Sequence, residues 1–155
     1  METQISNLLS ENNFTLSVAE SCTAGGISSR ICSVSGSSNY FMGGIISYSD
    51  KSKIRELNVK RVDIEKYSAV SKEVSRQMAV GVREKFNSDF ALSTTGYLGP
   101  SGKDVGRIFI SVSTSEKTIV KECFFNGNRD EICNQTIDES LQILLSEIKL
   151  KNNTD

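Results

Sequence analysis

The spacing of apolar residues switches back and forth along this 155-residue chain, and that alternation limits the folds open to it. In FTLSVAE, Phe14, Leu16 and Val18 recur every second residue, which puts them on one side of a strand. In KEVSRQMAVGVREKF, Val74, Met78, Val82 and Phe86 recur every fourth, which makes a helix stripe, and Ser71 before it is a good N-cap. The same reading makes TQISNLLSEN a first helix on Ile5, Leu8 and Leu9, AGGISSRICS a short helix, GGIISYS a short buried strand, KSKIRELN a brief helix and FALSTTG a strand. VGRIFISVS and TIVKECFF flank TSEK as an antiparallel hairpin. A last helix runs from about Asp130 to Lys149, with Ile137, Leu141, Leu144, Leu145 and Ile148 on its buried face and a capping box at Asn128 and Glu131. Alternating helices and strands with a hairpin late in the chain predict a single-domain α/β/α sandwich on a mixed sheet, over residues 1–150. The final KNNTD, 151–155, reads as a short disordered tail.

Composition narrows the function classes. A net charge of −1 argues against a nucleic-acid partner, whose binding face would be basic. No apolar run approaches the roughly 20 residues that cross a bilayer, and METQISNLLSENNF lacks the basic and apolar regions of a signal peptide. A cytoplasmic protein without a membrane partner is expected. Cys22, Cys32, Cys123 and Cys133 form no CxxC pair, so they read as free thiols. There is no histidine, which removes Ser-His-Asp and Cys-His chemistry and makes a zinc site improbable. Neither a metal nor a cofactor is expected. An enzyme built on this chain must draw its base from Lys, Tyr, Asp, Glu or water.

The unusual residues gather in loops, where such sheets place their sites. These are ESCTAGG at 20–26, SGSSNYFMGG at 35–44, YSDKSK at 48–53, STTGYLGPSGKDVG at 93–106, and FFNGNRDE around Arg129. ESCTAGG is not a P-loop, because no lysine follows its glycines. Arg129 at the start of a helix opposes the macrodipole, which suggests an anion to hold.

Taken in order, AESCTAGG, SGSS with Phe41, YS with Lys53 five residues after Tyr48, AVS, TG, GP, VG and NGNR resemble the CinA C-terminal domain family, over residues 3 to 147. The resemblance implies a metal-free amidohydrolase that converts nicotinamide mononucleotide to nicotinate mononucleotide and ammonia in pyridine nucleotide recycling. The partner would be a small nucleotide, and a homo-oligomer is expected. The alternative is a non-catalytic ligand-binding or regulatory domain on the same fold. The matched positions are Glu20, Ser21, Thr23, Gly25, Gly26, Gly36, Ser37, Gly96 and Arg129 for substrate binding, with Ser38, Tyr48, Lys53 and Thr95 as the catalytic set. The chain departs from the family pattern in YLGPSGKDVG, where Tyr97 replaces an aliphatic residue and Asp104 a proline, and at Cys133, where a second arginine is frequent.

Without imidazole, a hydroxyl and a lysine make the economical pair for amide hydrolysis. Ser38 is the expected nucleophile and Lys53 its base, since burial favours a neutral amine. Tyr48 would relay the proton or hold the carbonyl, and backbone N–H groups of SGSS or TTG would hold the oxyanion. Cys22, near a helix start, is the rival nucleophile. The TAGG helix start and Arg129 are the candidates for the phosphate.

Overall fold

The computed structural model describes residues 1–153. The elements are α1 (Glu2–Glu11), β1 (Leu16–Glu20), α2 (Gly26–Cys32), a 3-10 turn (Ser37–Asn39), β2 (Phe41–Ile46), α3 (Asp50–Leu57), α4 (Arg61–Tyr67), α5 (Lys72–Phe86), β3 (Phe90–Gly96), β4 (Arg107–Ser113), β5 (Thr118–Phe124) and α6 (Arg129–Asn152). The five strands form one mixed sheet in the order β2-β1-β3-β4-β5. β1 runs parallel to both β2 and β3, while β3–β4 and β4–β5 are antiparallel.

Each face of the sheet has its own core, which makes the α/β/α sandwich. Leu16 and Val18 of β1, Phe90 and Leu92 of β3, and Ile108, Ile110 and Val112 of β4 pack against Ile5 and Leu9 of α1, Ile27 and Ile31 of α2, and Ile137, Leu141, Leu144 and Ile148 of α6. The next residues along, Ala19 and Ala91, turn to the other face and meet Val74, Met78 and Val82 of α5 with Leu57 of α3. Small groups let α5 lie close: Ser75 shares a 2.6 Å hydrogen bond with Ser111, and Ser93 donates to the Ser75 carbonyl at 2.7 Å. Gly81 faces the end of α3, where a Cβ would stand 2.0 Å from the Leu57 carbonyl oxygen. That contact locks α3 onto α5.

The expected caps are present. Ser71 accepts from Val74 N, and Asn128 and Glu131 close a reciprocal capping box. Three expectations need correction. GGIISYS is an edge strand with every second residue exposed, Ile46 by 57%, because β1 is its only neighbour. α4 has no counterpart in the sequence reading; it buries no residue and so leaves no apolar stripe. The last helix continues through Lys151 and Asn152, two positions read as tail, with basic residues at its negative end and Lys151 paired to Glu116. Residues 154–155 of that tail lie outside the described residues.

Candidate active site

Strand directions decide which loops can meet. β1, β2 and β3 are mutually parallel, and two antiparallel steps turn β5 the same way. The loops after Glu20, Ile46, Gly96 and Phe124 therefore leave from one edge of the sheet. A cavity of about 300 Å³ opens there, lined among others by Ser21, Lys53, Thr95, Tyr97 and Arg129.

At this edge α3 presents a lysine inward. Ser49 caps the helix in a reciprocal box with Ser52, and Lys53 lies one turn before Leu57 on the buried side. Lys53 is only 2% exposed. Its Nζ donates to Ser21 Oγ at 3.0 Å, to the Ser47 carbonyl at 2.9 Å and to the Tyr48 carbonyl at 3.2 Å. Burial holds the amine below the ordinary lysine value, partly offset by the negative charge of Asp50. The structure thus pairs the buried lysine with Ser21, a residue read from the sequence as a substrate contact.

The turn after β1 is tied down from within. Glu20 is fully buried, and its Oε1 accepts from Ser28 N and Ser28 Oγ, both at 2.8 Å. Its Oε2 accepts from Gly25 N at 3.1 Å and Ile27 N at 3.0 Å. Two expectations fall with this. Glu20 has no side chain left for a substrate, and the TAGG helix start is filled by the chain's own carboxylate, so it does not hold a phosphate. Thr23 is buried and shares a 2.8 Å hydrogen bond with Thr94. Gly25 takes φ +98°, where only glycine is unstrained, and Gly26 packs against Ile137. None of Glu20, Thr23, Gly25 or Gly26 lines the cavity; they shape the turn that presents Ser21.

The remaining walls come from four segments. Thr95 Oγ1 donates to the Ala69 carbonyl at 2.9 Å, and Tyr97 Oη shares a 3.0 Å hydrogen bond with Ser68 Oγ. These two bonds hold the α4–α5 connection, whose Ala69 and Val70, the start of the AVS motif, form a wall of the cavity. Gly96 lies in the lining beside Ile108. Tyr48 is 58% exposed, and its hydroxyl accepts from Arg129 Nη2 at 3.1 Å. It is bonded away from Lys53, so the expected proton relay through the phenol is not formed. Arg129 also donates from Nη1 to the Gly99 carbonyl at 2.7 Å, which braces an exposed guanidinium at the mouth.

Gly36, Ser37 and Ser38 do not join this cavity. They precede β2, at the opposite edge of the sheet, where the adjoining Tyr40 carbonyl accepts from Leu16 N at the start of β1. The five residues of β1 separate the two ends by roughly 15 Å at the usual strand rise. Ser38 is exposed and out of reach of Lys53 in its own chain, which overturns their expected pairing. Cys22 is next to Ser21, but burial, with Cys133 adding to it, pushes its thiol up to about 12. A thiol that holds its proton so firmly is a poor nucleophile at neutral pH. Among the described residues, no group of three His, Cys, Asp or Glu side chains is placed to hold a metal ion.

The fold and site define an α/β domain with a buried hydroxyl–amine pair beyond the carboxyl ends of its parallel strands. Residues 1–148 match the CinA C-terminal domain, and the chain belongs to that family. It is 40% identical over 156 residues to a CinA-like protein of Flavobacterium psychrophilum, covering 98% of this chain and 37% of the relative. It is also 40% identical over 153 residues to a protein of Clostridium botulinum named as competence-damage inducible, covering 96% of this chain and again 37% of the relative. The chain thus spans about 37% of the length of these curated relatives. A CinA superfamily protein of Escherichia coli superposes with a TM-score of 0.90 at 28% identity, over 93% of this chain and 86% of that one. One from Klebsiella pneumoniae superposes with a TM-score of 0.92 at 23% identity, over 96% and 95%, which bears on the fold. No helix among the described residues is long and apolar enough to cross a membrane.

Proposed function

We propose that this chain is a metal-independent amidohydrolase that cleaves the carboxamide of nicotinamide mononucleotide, with Ser21 as nucleophile and Lys53 as base. The observation that carries the reading is the 3.0 Å contact between Ser21 Oγ and the buried Lys53 Nζ at the cavity wall. Burial holds the amine below its ordinary value, which favours the neutral form that takes the serine proton. The serine oxygen attacks the carboxamide carbon. Lys53 returns the proton to the departing nitrogen, which leaves as ammonia. Lys53 then takes a proton from water, whose oxygen attacks the acyl-serine; the acid is released and Ser21 regains its proton from Lys53.

The carbonyls of Ser47 and Tyr48 hold Nζ in place while it cycles. Two tyrosines in the lining, Tyr48 and Tyr97, suit a flat ring, and the hydroxyls of both are fastened to other side chains. Arg129 at the mouth suits the 5′-phosphate, because a planar guanidinium binds phosphate oxygens in pairs. Family membership supports the choice of substrate. Ammonia release should be measured on nicotinamide, its riboside and its mononucleotide. The expected result is turnover of the mononucleotide above the other two, and no release from any of them would overturn the reading.

A further inference from the structure

The turn that presents Ser21 leaves two backbone donors unused. Ser21 N donates to the Thr94 carbonyl, Ala24 N to the Ser21 carbonyl and Gly26 N to the Thr23 carbonyl. Gly25 N, Ile27 N and Ser28 N all donate to Glu20. From Ser21 through Ser28, only the N–H groups of Cys22 and Thr23 meet no other residue among the described residues, the Cys22 N–H facing its own thiol alone. Both residues are buried, Cys22 6% and Thr23 4% exposed. Buried backbone N–H groups without partners are rare, so two in succession call for an acceptor.

We infer that the Cys22 N–H, with the Thr23 N–H behind it, is the oxyanion donor of this site. The inference rests on the amidohydrolase reading above. Cys22 directly follows the serine that Lys53 touches and lines the same cavity. Its side chain packs into the apolar core, so packing fixes this peptide, and the thiol beside its N–H is only a weak acceptor. The 2.8 Å bond from Thr23 to Thr94 pins the next one. When Ser21 Oγ bonds to the carboxamide carbon, the carbonyl π electrons move onto oxygen. The charge develops beside the peptide that follows the nucleophile. Successive N–H groups form a concave anion site, and here they are held in position before the reaction begins. This assignment replaces the SGSS and TTG amides expected from the sequence. It also gives the Cys22 position a role that does not involve its thiol.

Pyridine-3-boronic acid, which places boron where the carboxamide carbon sits, is the probe. Added to the ¹⁵N-cysteine-labelled protein, it should form a tetrahedral boronate on Ser21, seen by ¹¹B NMR, and should move the Cys22 amide proton downfield. That signal is assigned by its loss in Cys22→Ala. In a second arm, lactate replaces alanine at position 22 of the Cys22→Ala protein, which converts one amide to an ester. Measured against the Cys22→Ala protein, which keeps the amide, the ester should lower kcat by about 10²–10³ with little change in KM. A boronate that forms while the Cys22 amide stays unmoved overturns the oxyanion assignment and leaves the nucleophile standing. An unchanged kcat in the ester protein has the same force. If no boronate forms on the parent, Ser21 is not the nucleophile, and both readings fall.

Discussion

A buried lysine with three acceptors around its nitrogen can be either a structural cation or a base, and titration separates the two. Its charged form is opposed by burial and favoured by Asp50 and two carbonyls, and burial is the larger effect. The proton-accepting form therefore gains population as pH rises, at a lower pH than for a free lysine. The profile of kcat/KM should climb on the alkaline side with an apparent pKa below the ordinary lysine value, and Asp50→Asn should shift the limb further down. A flat profile between pH 6 and about 10 would count against Lys53 as base. Ser21→Ala and Lys53→Met should each lower kcat by about 10³ or more, with the double variant little worse, because groups acting in one step are not additive. Ser38→Ala should stay near the parent rate. Part of this was legible in the sequence. Lys53 precedes Leu57 by four residues, so a helix that buries Leu57 also turns Lys53 inward. The sequence reading makes Ser38 the nucleophile because the sequence does not show that β1 and β2 run parallel, which sends the loop before β2 and the loop after β1 to opposite edges.

At the scale of elements, periodicity gave the long helices, since each buries one continuous side, and the TSEK turn gave the hairpin. Periodicity failed where the signal is short or weak: α4 has no fully buried residue and packs only Ile64 on the core, and β2 is an apolar run at an open edge. The contacts that position the site are also not periodic. Both oxygens of Glu20 accept from backbone N–H groups, so an amide in its place must turn its NH₂ toward a donor whichever way it flips. Glu20→Gln should therefore cost about 2–3 kcal/mol by denaturant unfolding, and should lower kcat because Ser21 rides on the same turn. Gly81 is a second such point. Its missing Cβ would meet the Leu57 carbonyl at 2.0 Å, and backbone cannot swing aside as a side chain can. Gly81→Ala should destabilise by about 3 kcal/mol, a fall in Tm of roughly 6–12 °C. Unchanged unfolding in either variant would mean that these contacts do not hold the fold.

At the scale of the whole molecule, strand order does what no local pattern announces. The chain alternates helix and strand in its first part, but it is the parallel pairing of β1 with β2 and β3, and the two antiparallel steps to β5, that bring the ends of β1, β2, β3 and β5 to one edge and send Gly36–Ser38 to the other. That same order brings the start of α6 over the cavity, so Arg129 comes from the far end of the sequence to close a site begun at Ser21. α6 is capped by its own Asn128 and Glu131 side chains, which leaves the guanidinium as the cation at this mouth. Arg129 is exposed and spends one N–H each on Gly99 and Tyr48, so its other donors can meet a phosphate. It lies at the rim, away from the Ser21–Lys53 pair, so its removal should weaken binding more than chemistry. Arg129→Ala should therefore raise KM for the mononucleotide roughly 10- to 100-fold, the size of a charge-assisted contact reduced by exposure. It should change the riboside far less and leave kcat for both within a few-fold. Side-by-side kinetics on the two substrates measure the difference. Equal losses on both would mean that Arg129 only braces the loop at Gly99, and that the phosphate is held elsewhere.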